Sequence, residues 1–289
     1  LISHKYAKGL SSKKANFADN GNEPAKLKGI FMSFSTLKLS SSSMKSIQTA
    51  IDAISHNIAN VNTTAFKENK PQFTSVVSKL GSAAGHSYSG TAIASINADF
   101  GQGNLRQSNL VTDLAINGKG FFTLQSTTGD VVYTRAGHFS FDGENSLVDA
   151  NGNYVLSTGG SRIVAPITTE TLEITSAGEV RILTEGDTVP QTLTQIQLAS
   201  FVNPQGLESI GNSQYRESLN SGSPQFSAAE ESGTGTAGSQ MISGALEASN
   251  ADLSTNMVDL IAYQRSYQSI SRATQTANEI LETTLALGR

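Results

Sequence analysis

The chain has 289 residues, among them 26 glycines and no cysteine or tryptophan, and its 24 acidic and 20 basic side chains give a net charge of −4. A chain of this length can bury a real core in one to three domains. The lack of cysteine excludes disulfides and thiolate metal sites. The low, slightly acidic charge argues against a nucleic-acid-binding surface, which would need a basic stripe.

The first 31 residues differ in composition from the rest of the chain. They are rich in lysine, contain Asn-Gly and Glu-Pro breakers and have no hydrophobic period. We expect 1–31 to be a disordered extension upstream of the natural start at Met32. The chain contains no run of 18 apolar residues, and Leu1–Leu10 has no signal-peptide core, so the sequence predicts no transmembrane segment.

A heptad pattern follows over residues 33–66 and predicts an amphipathic helix that ends near residues 57–62. One seam of the pattern holds Leu37, Met44, Ile51 and Ile58, and the other holds Ser40, Ile47, Ile54 and Val61. Such a stripe needs a partner helix. The run of small and polar residues at 81–97 then predicts a linker or extended arm over 67–99.

Short strands with turns are predicted from Phe100 to about Phe226. The apolar runs 113–116 and 121–124 flank Asn117-Gly118, which is a strong hairpin signal. Further strands are predicted at 131–134, 139–141, 147–148, 154–156, 172–174, 180–183 and 193–201. This spacing is typical of a compact β domain, barrel-like or sandwich. Residues 221–243 are rich in Ser, Gly and Thr, and we expect them to be irregular.

The helical period returns after Gly244, with Asn250 or Ser249 as the expected N-cap. The predicted stripe consists of Leu253, Leu260, Tyr263, Tyr267, Ile270, Thr274, Ala277, Leu281 and Leu285. This helix is the candidate partner for the first one. Periodicity alone leaves open whether the two stripes form an intramolecular hairpin or an interface between subunits.

No residue pattern points to catalysis. The four histidines have no metal-ligand spacing, Gly118-Lys119-Gly120 lacks the Ser or Thr of a phosphate loop, and the acidic pairs fall on turn sequences. We therefore predict no catalytic residue, no cofactor and no metal, and a protein that is not an enzyme.

Several segments, in order along the chain, resemble the flagellar rod and hook axial proteins. They are Ile54–Lys67, Phe100–Phe122, Tyr133–Phe141, Gly206–Gly211, Gly244–Asp252 and Met257–Tyr267. The first contains the positions that match the N-terminal motif of the family, Asn57, Asn60, Asn62, Thr63 and Phe66. The resemblance covers essentially all of 32–289.

The resemblance implies an α+β fold with a discontinuous helical domain from both termini and an inserted all-β domain. The expected parts are the extension 1–31, a helical domain of 32–66 plus 248–289, the arm 67–99 and a β-rich domain of 100–247. In this family the terminal helices pair inside a tubular filament, which favours the intersubunit role for both stripes. The assembly interface predicted on this basis holds Leu37, Met44, Ile47, Ile51, Ile54, Ile58, Val61, Leu253, Leu260, Tyr263, Tyr267, Ile270, Leu281 and Leu285.

The length from Met32 onward favours a distal-rod type within the family, which is a structural subunit that polymerises helically below the hook. A proximal-rod type and a short hook protein remain alternatives, and an extracytoplasmic carbohydrate-active enzyme is the alternative of another class. The implied partners are further copies of the chain, other rod and hook proteins, the flagellar type III export apparatus and the surrounding ring proteins. The implied location is the flagellar basal body, outside the cytoplasm.

Overall fold

The computed structural model describes residues 25–79, 86–166, 169–184, 189–229 and 239–286. Within these ranges the chain forms two long helices, α1 (Ala25–Ala59) and α2 (Leu253–Ala286), and eighteen strands between them. The strands are β1 (Asn69–Lys79), β2 (His86–Ala98), β3 (Leu105–Gln107), β4 (Leu114–Asn117), β5 (Phe121–Gln125), β6 (Val131–Thr134), β7 (Phe139–Phe141), β8 (Leu147–Asp149), β9 (Tyr154–Val155), β10 (Thr169–Ile174), β11 (Glu179–Thr184), β12 (Gln191–Gln195), β13 (Gln197–Ser200), β14 (Glu208–Gly211), β15 (Gln214–Arg216), β16 (Gln225–Ala228), β17 (Gln240–Ser243) and β18 (Ala245–Glu247). The predicted α+β architecture, with a β region inserted between terminal helices, is confirmed.

Helix α1 ends at Ala59, within the predicted range, and a run of mostly polar residues follows it. The amide of Asn60 donates to the carbonyl of His56, and that of Thr63 donates to the carbonyl of Asn60. The start differs from the prediction. Residues 1–24 of the extension lie outside the described residues, whereas 25–31 form the first turns of α1.

The largest sheet follows the order β14-β15-β6-β5-β9-β8-β7, and β13 pairs with both β5 and β16. Strand β5 is buried on both faces because its side chains alternate between two apolar clusters. Phe122 and Leu124 belong to the main core, where the Phe122 ring meets that of Phe139 edge-on with centroids 5.1 Å apart. Phe121 belongs to a second cluster with Tyr133 and Tyr215.

Strand pairing supports one pair of predicted strands and contradicts a predicted hairpin. The strands predicted at 172–174 and 180–183 fall in β10 and β11, which pair with Ile174 opposite Val180. The hairpin predicted across Asn117-Gly118 is wrong, because β4 pairs with β17 and β5 lies in the largest sheet. The strand predicted over 193–201 is divided at Ile196 between β12 and β13. The segment expected to be irregular, 221–243, contains β16 and β17.

The chain divides into two compact units. Of the described residues, those within 1–49, 73–93 and 263–289 belong to one unit, and those within 50–72 and 94–262 belong to the other. In the first unit, the Ser46 hydroxyl on α1 donates to the Ser42 carbonyl and lies 3.1 Å from the Thr91 carbonyl on β2. The second unit contains the large sheet and the ends of both helices that adjoin it. The four-part division of the chain drawn from the sequence stays a prediction.

Candidate assembly site at the helix ends

Helix α2 is capped by Asp252, one residue before its first turn. The carboxylate Oδ1 of Asp252 accepts from the amides of Ser254 at 2.7 Å and Thr255 at 3.4 Å, which satisfies two of the free donors of a helix N-terminus. The N-cap predicted at Asn250 or Ser249 is therefore wrong. The side chain of Asn250 instead donates to the carbonyls of Asp99 and Gly101.

The C-terminal end of α1 meets the N-terminal end of α2 through two buried asparagines. The Asn57 amide donates to Oδ1 of Asn256 at 3.1 Å and to the Asn69 carbonyl at 2.9 Å, and its own oxygen accepts from the Asn69 amide. Asn256 donates in turn to the Glu68 carboxylate at 2.8 Å. Since both side chains satisfy their donors and acceptors with protein groups, this polar contact fixes the two helix ends against each other.

Immediately beyond α1, residues 64–68 run along residues 247–250. We call these two segments the terminal clasp. The Ala65 amide donates to the Glu247 carbonyl at 2.8 Å, the Asn250 amide to the Phe66 carbonyl at 3.3 Å, and the Glu68 amide to Oδ1 of Asn250 at 2.8 Å. The segment that follows α1 and the segment that precedes α2 are thus joined by backbone hydrogen bonds as well as by side chains.

An ion cluster lies at the centre of the terminal clasp. Oε1 of Glu247 is 2.6 Å from Nζ of Lys67, and Oε2 is 3.3 Å from a guanidinium nitrogen of Arg135. The Lys67 and Glu247 side chains are fully buried, and that of Arg135 is 5% exposed. No periodicity or spacing in the sequence indicates this cluster, because its members are brought together only by the tertiary fold.

Burial shifts the pKa values of two cations in this cluster and of one neighbouring tyrosine. It lowers the pKa of Lys67, although the Glu247 carboxylate acts in the opposite direction, and it also lowers the pKa of Arg135. Burial raises the pKa of the neighbouring Tyr215 to about 12. All three shifts have the same main cause, which is the burial of these side chains away from water.

The predicted assembly residues of α1 lie at two depths. Ile47 and Ile54 are buried, whereas Met44, Ile51, Ile58 and Val61 are half-buried. The buried face also includes Ala50, which is 0% exposed. It is therefore centred on the seam of Ile47 and Ile54, and the seam of Ile51 and Ile58 lies at its edge. Leu37 falls within α1, but its side chain lies outside those described.

On α2, the predicted seam is half-buried at Leu260, Tyr263, Tyr267 and Ile270. The ring of Tyr263 lies 5.8 Å from that of Phe73 on β1. Leu281 and Leu285 fall within α2, but their side chains lie outside those described. Leu253 is exposed, and it belongs to a separate surface.

That surface is an exposed apolar strip at the start of α2, which we call the α2 strip. It comprises Leu253, Met257, Val258 and Ile261, whose exposed fractions are 40%, 48%, 66% and 51%. Only Leu253 was predicted as an assembly residue, because the other three fall between the heptad positions. Their spacing of four, one and three residues places them on one side of a helix, and the run Met257-Val258 next to Ile261 was the available signal.

The family-motif residues are placed around the end of α1. Asn57 is buried in the contact between the helices, and Phe66 is buried with its ring 5.3 Å from that of His56. Asn60 donates to the His56 carbonyl and accepts from the Thr63 hydroxyl. Asn62 is exposed. The motif residues therefore lie at the C-terminal end of α1 and in the segment that follows it.

In the described part of the chain no three His, Asp or Glu side chains converge as a metal ion would require. Nor does any helix there combine the length and hydrophobicity needed to cross a membrane.

Comparison with known proteins identifies the family. Three family models match, described as flagella basal body rod protein (residues 37–67), flagellar hook protein FlgE/F/G D1 domain (115–182) and flagellar basal body rod FlgEFG protein C-terminal (242–287). The flagellar basal-body rod protein FlgG of Bacillus subtilis is 39% identical over 261 residues, which cover 86% of this chain and 97% of that protein. The FlgG proteins of Caulobacter vibrioides and Borreliella burgdorferi are each 32% identical, over 87% and 83% of this chain and 98% and 93% of their own lengths. The chain belongs to the flagellar rod and hook family, FlgG type.

The three stretches that match the flagellar family models meet at the ion cluster. Lys67 is the last residue of the first stretch, Arg135 lies in the second, and Glu247 lies in the third. The ion cluster therefore joins residues from all three matched stretches at one carboxylate.

Proposed function

We propose that the chain is a structural subunit of the bacterial flagellar basal body that polymerises helically into the distal rod. The observation that carries this function is the match, over most of the chain, to proteins named as FlgG basal-body rod proteins. It is a structural protein and not an enzyme, and nothing in the comparisons favours the carbohydrate-active alternative. Its role is mechanical, and this role depends on the stability of the contacts between subunits.

The surfaces proposed for packing between subunits are the α2 strip and the half-buried seam of Met44, Ile51 and Ile58. A neighbouring subunit that covers an exposed side chain such as Val258 or Met257 would stabilise the contact by up to about 1.5 to 3 kcal/mol for each side chain that becomes fully buried. Contacts of this kind, between different patches of identical subunits, extend into a helical polymer when the rotation does not close a ring.

The subunit assembles with other flagellar rod and hook proteins in the basal body. We extend this proposal to the export apparatus as the route out of the cytoplasm and to the ring proteins around the rod. An extracytoplasmic position follows from the same proposal. Immunogold labelling of isolated basal bodies would place the chain in the distal rod, the proximal rod or the hook.

The assembly role is tested by Val258→Asp in a flagellated host that lacks its own copy of the rod protein. Because Val258 is 66% exposed in the single chain, we expect the stability of the purified monomer to change by no more than about 0.5 kcal/mol. We expect the cells to lose motility. We expect electron micrographs of their basal bodies to show shortened or missing rods. The control Asp259→Asn alters the next exposed residue without placing a charge in the α2 strip. Normal rods with Val258→Asp would contradict the proposed packing surface.

A further inference from the structure

The carboxylate of Glu247 is shared among all three matched parts of the chain. Oε1 accepts from Lys67 at 2.6 Å and from the Gly103 amide at 2.8 Å, and Oε2 accepts from Arg135 at 3.3 Å. These donors precede Glu247 by 180, 144 and 112 residues. One buried side chain therefore holds three distant segments.

Within the described residues, Glu247 supplies the one carboxylate paired directly with Lys67 and Arg135, and Asp99 acts on Lys67 more weakly. Lys67 also donates to the Gly101 carbonyl, and Arg135 donates to the Gly118 carbonyl and lies 5.4 Å from the centre of the Phe121 ring. These neutral contacts supply hydrogen bonds and a ring face but no negative charge. Removing the charge of Glu247 would leave Arg135 without a paired carboxylate and Lys67 with only the weaker attraction of Asp99. Buried charges without a close partner are costly.

The backbone around the ion cluster has little freedom to adjust. A side-chain carbon at Gly103 would lie 2.1 Å from the Ala248 carbonyl oxygen, so these two segments touch directly. Ala65 is fully buried and has a φ of 55°, a left-handed conformation that a non-glycine residue adopts only where its surroundings fix it. The amide of Ala65 is held by the Glu247 carbonyl. Loosening one segment therefore removes the constraint on the other.

We propose that the terminal clasp is a two-state device in which Glu247 couples the attachment of the two helices, so that the ends of α1 and α2 are fixed on the β region together or not at all. The Asn57–Asn256 contact extends this coupling into the helices themselves. A subunit in which only one of these two segments is attached to the β region therefore holds neither helix in its final position. The proposal concerns the single chain and does not rest on the rod function.

The coupling is tested by hydrogen–deuterium exchange with mass spectrometry on the full-length chain carrying Glu247→Gln. We expect faster exchange in residues 57–69 as well as in 248–256, by a factor within the range of about 5 to 150 that is typical of coupled sites. The amides of β5 and β6 are expected to exchange as in the parent. The matched control is Glu208→Gln, which neutralises an exposed glutamate on β14. Faster exchange confined to 245–250, with 57–69 unchanged, would overturn the proposal.

A second variant tests the coupling from the other end of the chain and serves even where Glu247→Gln does not fold. In Lys67→Met, the Arg135–Glu247 pair remains, so we expect a smaller effect than in Glu247→Gln, but one that appears in 248–256 on the opposite segment. Exchange accelerated only next to residue 67 would count against coupling.

Discussion

The side chain of Asn57 donates a hydrogen bond to Oδ1 of Asn256, 3.1 Å away and 199 residues later in the chain. Both residues are buried, at 1% and 2% exposure. Two buried polar residues at the meeting of two helix ends lower the burial of hydrophobic surface, but they also define one register between those ends. A single buried asparagine has this role in coiled coils. Here the pair sets where α1 ends relative to the start of α2.

Asn57→Ala is expected to lower the free energy of unfolding by about 1 to 3 kcal/mol, because the backbone of Asn69 and the side chain of Asn256 lose buried partners. Urea unfolding followed by circular dichroism measures the change. Asn62→Ala, a few residues on and exposed, is the control and should remain within about 0.5 kcal/mol of the parent. Equal effects in the two variants would show that the Asn57–Asn256 contact does not stabilise the fold.

Gly137→Ala is expected to destabilise the β region by about 1 to 3 kcal/mol or more, since overpacking forces the backbone to move. The added carbon would lie 1.7 Å from the Leu114 carbonyl oxygen, and Leu114 also donates its amide to the Gly137 carbonyl. Differential scanning calorimetry gives the shift in Tm.

The control for Gly137→Ala is Gly143→Ala, where no atom lies within 4 Å of the added carbon. There the substitution restricts the unfolded chain without creating a clash, so stability should be unchanged or slightly higher. A Tm for Gly137→Ala as high as that of Gly143→Ala would contradict the close approach of these strands.

Because Tyr215 is buried, we expect the protein to lose stability at alkaline pH. Its pKa is raised to about 12 by burial, from an ordinary value of 10.0. A raised folded pKa means that its contribution is fully present below pH 10 and is lost as the pH rises from there through 12. By linkage, the loss amounts to about 2 to 3 kcal/mol. We expect Tyr215→Phe to fall less steeply with pH than the parent in urea unfolding between pH 9.5 and 11.5, and equal slopes would show that Tyr215 is not shielded.

Much of the architecture could be predicted from local sequence. The heptad spacing indicated both helices, and the end of α1 followed from the asparagines and threonines after Ile58. Predicted strands at 131–134 and 139–141 match β6 and β7. These features are decided by nearest neighbours along the chain, so a single sequence contains the information.

What the sequence did not reveal depends on distant partners. Asn117-Gly118 has the composition of a hairpin turn, but β4 pairs with β17, more than 120 residues later. Tertiary pairing therefore overrode a local hairpin preference. The ion cluster of Lys67, Arg135 and Glu247 has no periodicity at all. The α2 strip was missed because a heptad search counts only seam positions, and Met257 and Val258 lie outside them.

The terminal clasp has a consequence for the size of the region that it encloses. It closes a loop of about 180 residues between Lys67 and Glu247. The entropic cost of closing a flexible loop rises only by about 0.6 kcal/mol when the loop doubles in length. Long insertions between the strands would therefore weaken the closure very little, provided that Arg135 and Gly103 still reach the carboxylate. The same joint between chain ends can thus be kept while the enclosed domain grows or shrinks.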